Sequence, residues 1–354
     1  MEDFFTLRTV TWAGTSVKMI DQTMLPRRLV YRSYRRYQDV ADAIRRMVVR
    51  GAPAIGVAAA MGVALAAVHS SASTKDQLMK ELDGAAAILR STRPTAVNLF
   101  WGIERAVAST SLATTAREAR EAVVAEVMKM EEEDVQVNRR LGKVGADLIE
   151  DGDTVLTHCN AGALATVGYG TALGVVRAAK EQGKLVKVIV PETRPALQGA
   201  RLTAFELARD GIDCTLISDT AVGHMMNIGR VDKVIVGADR ITRDGYVFNK
   251  IGTYQIAVLS ARHGVPFHPA APYSTFDLKH DHGDVIIEER SPDEVTKVRG
   301  RRVAPKGVPV SNPAFDSTPP ELITSIVSDK GLVEKPIAEN IARGHLLISD
   351  GRVE

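Results

Sequence analysis

The sequence is poor in the features that mark secreted or membrane proteins. Its 354 residues include two cysteines, Cys159 and Cys214, too few for a disulfide framework, so we expect free thiols in a reducing compartment. The longest apolar run, AIGVAAAMGVALAAVHS from Ala54, falls short of the roughly 20 strongly apolar residues that a spanning helix needs, and it predicts a buried helix. The opening MEDFFTLRTV lacks the basic and apolar regions of a secretory signal. These absences favour a cytoplasmic protein with no membrane partner.

Further absences narrow the classes of function. A net charge of +2 leaves no overall basic footprint for nucleic acid, and we interpret the arginine- and tyrosine-rich segment 27–38 as a solvated surface. The chain contains no GxSxG, no Walker A loop and no GxGxxG fingerprint. His280 and His282 stand in a charged loop, LKHDHGD, without the spacing of further metal ligands. We therefore predict no nucleic-acid partner, no metal and no cofactor.

What the chain does contain predicts two domains of different kinds. Residues 7–34 alternate polar and apolar side chains around Ala13-Gly14, as in a short antiparallel hairpin or meander. From Tyr37 onward, apolar residues recur three and four apart over several long segments, which is the period of amphipathic helices. Residues 1–150 are thus predicted to form a small β region followed by a helical domain.

After residue 150 the pattern changes to that of an α/β fold. Short runs rich in valine and isoleucine, TVLTH, VKVIV, CTLIS and KVIVGA, alternate with helical stretches, as in a parallel sheet covered on both faces. Residues 151–354 are therefore predicted to be a doubly wound, Rossmann-like domain. Ligands of such sheets bind beyond the carboxyl ends of the strands, so the residues that follow each strand are the candidates for a site.

Two chemically capable side chains follow predicted strands. Cys159 comes directly after TVLTH and opens a glycine-rich loop, where a helix N-terminus would favour its thiolate. Asp239 follows KVIVGA, and Asn249-Lys250 precede a glycine-led helix, so that a carboxylate and a thiol could form an acid/base pair with an amide and an ammonium nearby. The alternatives are a small core residue for Cys159 and an ion pair with Arg240 or a helix cap for Asp239, but the position after a strand favours the functional interpretation of both. Cys214, inside a strand, is assigned to the core.

Three further segments have the character of anion sites. RGAPAIG, residues 50–56, combines an arginine with two glycines and a proline suited to a first helical position. Arg93 precedes Pro94 at another predicted helix start, and Arg194 stands between two prolines ahead of Gln198. Each could bind an anion, although a tight turn or a solvated arginine accounts for the same residues.

Taken together, these segments resemble one enzyme family, the S-methyl-5-thioribose-1-phosphate isomerases of methionine salvage. The resemblance covers nearly the whole chain and rests on VKMIDQTMLP, RMVVRGAPAIG, THCNAGALATVGYGTALGVVRAA, ETRPALQGARLTAFEL, VGADRI, NKIGTYQIAVL and NPAFDSTPPELIT. The fold of that family is shared with regulatory subunits of translation initiation factor 2B and with archaeal ribose-1,5-bisphosphate isomerase. Fold alone therefore leaves three functions open.

The resemblance implies an aldose-ketose isomerase with Cys159 and Asp239 as catalytic residues. It places the sugar phosphate near Arg50, Gly51, Ala52, Arg93, Gln198, Asn249 and Lys250. It also implies a homodimer, to which we expect the apolar stretch PPELITSIVSDKGLV, residues 319–333, to contribute. The alternatives are an isomerase of ribose 1,5-bisphosphate and a non-catalytic regulatory subunit. The presence of Cys159 and Asp239 favours an enzyme, and the N-terminal segment favours the methylthioribose substrate.

Overall fold

The computed structural model describes residues 7–93, 96–298 and 300–344, which form two compact units. The first unit comprises residues up to Gly142 together with 161–177, and the second comprises 143–160 and the chain from 178 onward. Residues 1–6 of the first predicted domain and residues 345–354 of the second lie outside the described residues. Pro94, which follows the predicted anion-binding Arg93, lies outside them as well.

The first unit has the predicted small β region followed by helices. Its antiparallel sheet has the order β1-β2-β3 and pairs Val10 with Met19 across a turn in which Gly14 has a positive φ of 72°. Five helices follow, as the helical periodicity predicts. The elements are β1 Val10–Trp12, β2 Val17–Ile20, β3 Tyr31–Tyr34, α1 Tyr37–Arg45, α2 Ala52–His69, α3 Lys75–Arg90, α4 Val97–Ala108 and α5 Ala116–Ala146.

Helix α2 is the central helix of the first unit. It is long and apolar enough, by length and composition alone, to cross a membrane, but 78% of that window is buried inside the protein, as predicted for a core helix. Glycines allow α4 to lie directly against it: a Cβ on Gly102 would overlap the carbonyl oxygen of Gly56, and one on Gly56 would lie 2.6 Å from that of Asn98. The two helices therefore pack backbone to backbone.

This close packing predicts opposite effects for two Gly→Ala substitutions in neighbouring helices. Gly102→Ala should lower the free energy of unfolding by about 1–3 kcal/mol, because the new methyl group has to displace the backbone of α2. Gly84→Ala, at an exposed site in α3 where a Cβ would have open space, should raise it by about 0.5–1 kcal/mol through helix propensity. Urea denaturation of both variants measures the difference. Equal stabilities would show that α2 and α4 have room to separate.

The second unit contains the predicted parallel sheet. Its five strands, in the spatial order β10-β7-β4-β5-β6, are all parallel. Successive strands first run outward from β4 on one side and then return to its other side, so the order reverses between β4 and β7. These strands are β4 Thr154–Leu156, β5 Lys187–Pro191, β6 Asp213–Ile217, β7 Lys233–Val236 and β10 Phe267–Pro269.

Helices and a second sheet complete this unit. The helices are α6 Ala172–Glu181, α7 Ala204–Arg209, α8 Val222–Asn227, α9 Thr253–His263, α10 Asp293–Thr296 and α11 Ile337–Ala342. Helix α6 begins in the first unit, and α7 continues a π-helical turn, Gly199–Thr203. A four-stranded mixed sheet has the order β11-β8-β9-β14, from Phe276–Asp277, Arg240–Thr242, Val247–Lys250 and Phe315–Thr318. Two hairpins remain, β12 Lys297–Val298 with β13 Arg301–Arg302, and β15 Ser325–Ser328 with β16 Gly331–Glu334. The chain enters this mixed sheet directly after β7, since β8 is the next strand along the chain.

The glycine-rich segment 161–177 packs with the first unit, whereas the predicted boundary at residue 150 assigns it to the second domain. The side chains of Thr9 and Gln22 donate to the carbonyls of Ala163 and Leu164, each at 2.7 Å. The N–H of Val167 donates to the buried carboxylate of Asp134 at 2.7 Å. These long-range hydrogen bonds attach the segment to the first unit, and no local pattern in the sequence predicts them.

Two assignments from the sequence need correction. Cys214 is partly exposed rather than a core residue, because β6 is an edge strand of the sheet and most of its side chains face outward. The apolar residues of the stretch 319–333 do not form an exposed surface: Ile323, Ile326 and Val333 are fully buried in the core of their own unit.

Candidate active site

The strands β4 and β7 flank the point where the order of the parallel sheet reverses, and each is followed closely by a predicted catalytic residue. Cys159 comes three residues after the end of β4, and Asp239 three residues after the end of β7. Both residues are partly exposed and lie beyond the carboxyl ends of buried strands, where ligands of such sheets bind. The predicted thiol and carboxylate thus lie on loops from neighbouring strands of one sheet.

The backbone of Cys159 is held in an uncommon conformation. Its φ of 59° is in the left-handed region, which a residue with a side chain occupies at a cost of order 1 kcal/mol unless its surroundings enforce it. Two threonines provide that support. The N–H of Cys159 donates to Thr193 Oγ1 at 3.0 Å, and its carbonyl accepts from Thr203 Oγ1 at 2.6 Å. Two hydrogen bonds thus hold the backbone of the residue that carries the thiol.

Neighbouring residues fix this loop further. The buried Asn160 donates its side-chain N–H to Glu206 Oε1 at 2.9 Å and to Thr203 Oγ1 at 3.2 Å. Thr193, also at a positive φ of 64°, donates its N–H to Asp219 Oδ1 at 2.7 Å. These supporting residues could not be predicted from the sequence, since their partners lie tens of residues away in the chain.

Asp239 is positioned by the mixed sheet. Its N–H donates to the carbonyl of Phe248 at 2.8 Å, which ties the end of β7 to β9 just before β8 begins. Phe248 is only 5% exposed, so this hydrogen bond anchors the aspartate to the interior of the second unit.

Of the three remaining predicted residues of the second unit, Asn249 and Lys250 end strand β9, and Gln198 lies in the connection that follows β5. Gln198 is 8% exposed and immediately precedes the π-helical turn after β5. Asn249 donates to Thr253 Oγ1 at 3.0 Å, and Lys250 donates its Nζ–H to the carbonyl of Ala314 at 2.9 Å while lying 4.8 Å from the ring centre of Phe315. Strand β14 therefore orients the Lys250 ammonium group.

Asp316, on the same strand β14, fixes the turn after Lys250. Its carboxylate accepts from the N–H groups of Gly252, at 2.7 Å, and Tyr254, at 3.1 Å. Burial raises the pKa of Asp316 to about 6, against the lowering by these hydrogen bonds and by Lys250. The carboxylate thereby satisfies N–H groups at the start of α9 that the helix itself leaves open.

The predicted anion-binding residues Arg50, Gly51, Ala52 and Arg93 belong to the first unit. Gly51 caps the N-terminus of α2 with φ 98°, and a Cβ on it would overlap the backbone of Ala165. Helix α2 has a proline in its first turn and, within the described residues, no side-chain cap. Its first N–H groups and its positive dipole end are suited to a phosphate.

The loop against which Gly51 packs is itself held by Asp134, and this contact predicts a pH dependence. Burial raises the pKa of Asp134 to about 7, although hydrogen bonds from Val167, Gly168 and Asn138 and the charge of Arg8 lower it. Because the pKa in the folded state lies above the ordinary value of 3.8, the bound proton stabilises the fold fully below about pH 4. That contribution is lost as the pH rises through 7.

Asp134→Asn should therefore flatten the decline of Tm between pH 5 and pH 8, because the substituted side chain has no proton to lose. Thermal unfolding of wild type and variant across this range measures the slope. Parallel curves would show that Asp134 does not titrate between these pH values.

His280 and His282, for which the sequence predicts no metal, hydrogen-bond to carboxylates. His280 Nδ1 lies 2.9 Å from Asp277 Oδ2, and His282 Nδ1 lies 2.6 Å from Asp244 Oδ2. The ring of His282 also stacks on Tyr246 at 4.0 Å between ring centres. Within the described parts of the chain, no group of three or more histidine, cysteine or acidic residues is arranged to hold a metal ion.

Comparison with known proteins identifies relatives over almost the full chain. Residues 48–335 match the initiation factor 2 subunit family. A methylthioribose-1-phosphate isomerase of Geotalea uraniireducens is 53% identical over 329 residues, which are 92% of this chain and 95% of that protein. The structure of 5-methylthioribose 1-phosphate isomerase from Pyrococcus horikoshii is 45% identical with a TM-score of 0.90 and covers 96% of both chains.

A second solved structure is as similar and has a different name. It is described as the delta subunit of translation initiation factor eIF-2B from A. fulgidus, is 51% identical with a TM-score of 0.87, and covers 96% of this chain and 99% of that one. The similarity to both structures confirms the predicted fold class.

Proposed function

We propose that this chain, which belongs to the initiation factor 2 subunit family and, within it, to the methylthioribose-1-phosphate isomerases, converts S-methyl-5-thio-ribose 1-phosphate into S-methyl-5-thio-ribulose 1-phosphate. As a member of the latter family it is a sugar-phosphate isomerase. The observation that carries the choice of site is the placement of Cys159 and Asp239 after the two strands at which the sheet order reverses.

The chemistry of the substrate defines what these residues have to do. The phosphate on the anomeric oxygen prevents the sugar from opening as a free aldehyde, so the bond between C1 and the ring oxygen has to break with the phosphate in place. In the proposed reaction the protonated carboxyl group of Asp239 gives its proton to the departing ring oxygen. The resulting carboxylate then accepts the proton of the O2 hydroxyl, which returns Asp239 to its starting state.

The hydrogen on C2 moves to C1 by one of two routes. In the first, the Cys159 thiolate removes the C2 proton, an enol phosphate forms, and the thiol returns the proton to C1. In the second, the hydrogen shifts as hydride from C2 to the electron-poor C1 while Cys159 stays protonated. Running the reaction in D₂O separates them, because the first route allows deuterium into C1 of the product and the second excludes it.

Anion recognition in this proposal is divided among the remaining candidates. The N-terminus of α2 at Gly51-Ala52, which has no side-chain cap among the described residues, supplies N–H groups for the phosphate, and Arg50 and Arg93 supply positive charge. Gln198, Asn249 and Lys250 supply amide and ammonium groups for the sugar hydroxyls. No residue in this set calls for a cofactor.

The direct test is an assay of the purified chain on S-methyl-5-thio-ribose 1-phosphate and, separately, on ribose 1,5-bisphosphate, with the ketose product followed by NMR. The proposal expects turnover of the first substrate and little of the second. Turnover of the bisphosphate alone would reassign the substrate. Turnover of neither would favour the regulatory role, to which the similarity with the A. fulgidus structure already lends support.

The setting of this activity follows from the same family assignment. We propose that the chain acts in methionine salvage in the cytoplasm. Both cysteines are free thiols, which is usual for a reducing compartment.

We also propose a homodimer formed through the second unit. Because the stretch 319–333 is largely buried, the surface that supports this proposal is a different one: Tyr254 and Val258, one turn apart on α9, are 46% and 41% exposed, and α9 packs against α8. Sedimentation of Val258→Glu should show monomers where the wild type shows dimers. Leu112→Glu, at a 93% exposed site of the first unit, is the matched control and should leave the dimer intact. A monomeric wild type would remove the proposal.

A further inference from the structure

His158, the residue before Cys159, is a buried histidine that the mechanism does not use. The residue is only 2% exposed, and its Nε2 lies 2.8 Å from the carbonyl oxygen of Ile251. Because a carbonyl can only accept, Nε2 carries the ring proton and donates it. Burial lowers the pKa of His158, so the imidazole is neutral at neutral pH and Nδ1 is left as a bare acceptor.

One hydrogen bond therefore orients the whole ring. Nδ1 is buried and has no hydrogen-bond partner among the described residues, and an unsatisfied buried nitrogen lowers stability. The backbone of Ile251 and Gly252, which accepts this hydrogen bond, lies close to the ring. Gly252 has φ 101°, and a Cβ on it would lie 3.1 Å from His158 Nε2. Glycine at this position therefore allows both the positive φ of the backbone and the close approach of the imidazole ring.

The same turn is held from a second direction by Asp316, which accepts from the N–H groups of Gly252 and Tyr254. The antiparallel register of β9 and β14 places Asp316 opposite Asn249. Ile251 and Gly252 are consequently fixed by His158 and by Asp316. Asn249 and Lys250 immediately precede this clamped turn.

We propose that His158 is a positioning residue, which sets the separation between the Cys159 thiol and the Asn249-Lys250 pair. The inference rests on the proposed function, in which the thiol acts on the sugar and the pair binds it. Cys159 follows His158 directly in the chain, and Lys250 directly precedes Ile251. The 2.8 Å hydrogen bond from His158 to Ile251 therefore joins the segment that carries the thiol to the segment that carries the amide and ammonium groups.

The experiment compares two substitutions of His158 in the full chain. His158→Phe keeps a planar ring but has no donor for Ile251, and it should lower kcat/KM by about 100-fold, the loss that a displacement of about 1 Å can cause. His158→Gln keeps an N–H at about the position of Nε2 and should recover most of that loss. A purely structural role would instead lower Tm in both variants and leave kcat and KM of the folded fraction unchanged.

His268 provides a matched control. It is also a buried histidine of the second unit, 4% exposed on β10 of the same sheet, and its Nδ1 lies at hydrogen-bond distance, 2.9 Å, from Ser325 Oγ. His268→Phe should lower Tm and retain the wild-type kcat and KM. Equal losses of kcat/KM in His158→Phe and His268→Phe would overturn the inference, as would wild-type kinetics in His158→Phe.

A second readout does not depend on turnover. The rate at which iodoacetamide alkylates each cysteine is measured by peptide mass spectrometry, with the partly exposed Cys214 as the internal reference. His158→Phe should raise the rate at Cys159 alone, because its loop loses an anchor, and His158→Gln should restore it. If the wild type turns over no substrate and this pattern appears, the proposed function fails and the positioning role stands. An unchanged Cys159 rate in His158→Phe contradicts the positioning role whatever the turnover.

Discussion

Replacing Cys159 with serine should lower turnover by about 10²- to 10⁴-fold, the usual contribution of a group that transfers a proton in the transition state. Serine has nearly the volume of cysteine, but its hydroxyl ionises many pKa units higher, so it cannot remove the C2 proton as the first of the two proposed routes requires. Because the residue is partly exposed and its backbone hydrogen bonds to Thr193 and Thr203 do not involve the thiol, Tm should hardly change. Steady-state kinetics and thermal unfolding of the same preparation measure both quantities.

Cys214→Ser is the matched control for this substitution. Cys214 lies partly exposed on the edge strand β6, and its pKa is raised, chiefly by burial. The change should leave turnover intact and alter the free energy of unfolding by no more than about 0.5 kcal/mol, as is usual for partly exposed sites. A Cys159→Ser variant that keeps the wild-type rate would mean that the thiol is only a packing group, and the proton-transfer route would be wrong.

The two cysteines show which features of the fold the sequence predicts and which it does not. Both lie in or just after apolar runs, and periodicity predicts the strands of the parallel sheet and the helices of the first unit. Periodicity does not predict the order of strands in a sheet. That β6 is an edge strand and β4 a central one depends on pairings between residues tens of positions apart, and this placement at the edge accompanies the partial exposure of Cys214.

The candidate site shows the same limit. Side chains with evident chemistry, such as Cys159, Asp239 and Lys250, could be predicted because residues after strands of an α/β sheet are placed to meet ligands. The residues that hold them in place could not. Thr193 contacts the backbone of a residue 34 positions away, and His158 one that is 93 positions away. Such contacts have no local signature, since they arise only when the chain has folded.

Replacing Asp239 with asparagine should have an effect on turnover as large as that of Cys159→Ser. The amide keeps the shape of the side chain and the backbone hydrogen bond to Phe248, but it can neither give a proton to the ring oxygen nor accept one from O2. Substrate should still bind, because in the proposed mechanism its phosphate and hydroxyls are held by other residues. Isothermal titration of the variant with substrate, alongside the rate assay, separates binding from chemistry.

Asp153→Asn is the control for the loss of an aspartate from the same sheet. Asp153 directly precedes β4, at the amino end of the strand, and its carboxylate lies 2.6 Å from the ammonium group of Lys233 at the start of β7. Breaking this largely buried ion pair should lower the free energy of unfolding by up to about 3 kcal/mol while kcat stays at the wild-type value, because the pair is at the end of the sheet opposite to the catalytic loops. Asp239→Asn should show the reverse, a stable protein that binds substrate and does not convert it. Should Asp239→Asn instead turn over substrate at the wild-type rate, another group must supply the proton to the ring oxygen, and the assignment of Asp239 as acid and base would be withdrawn.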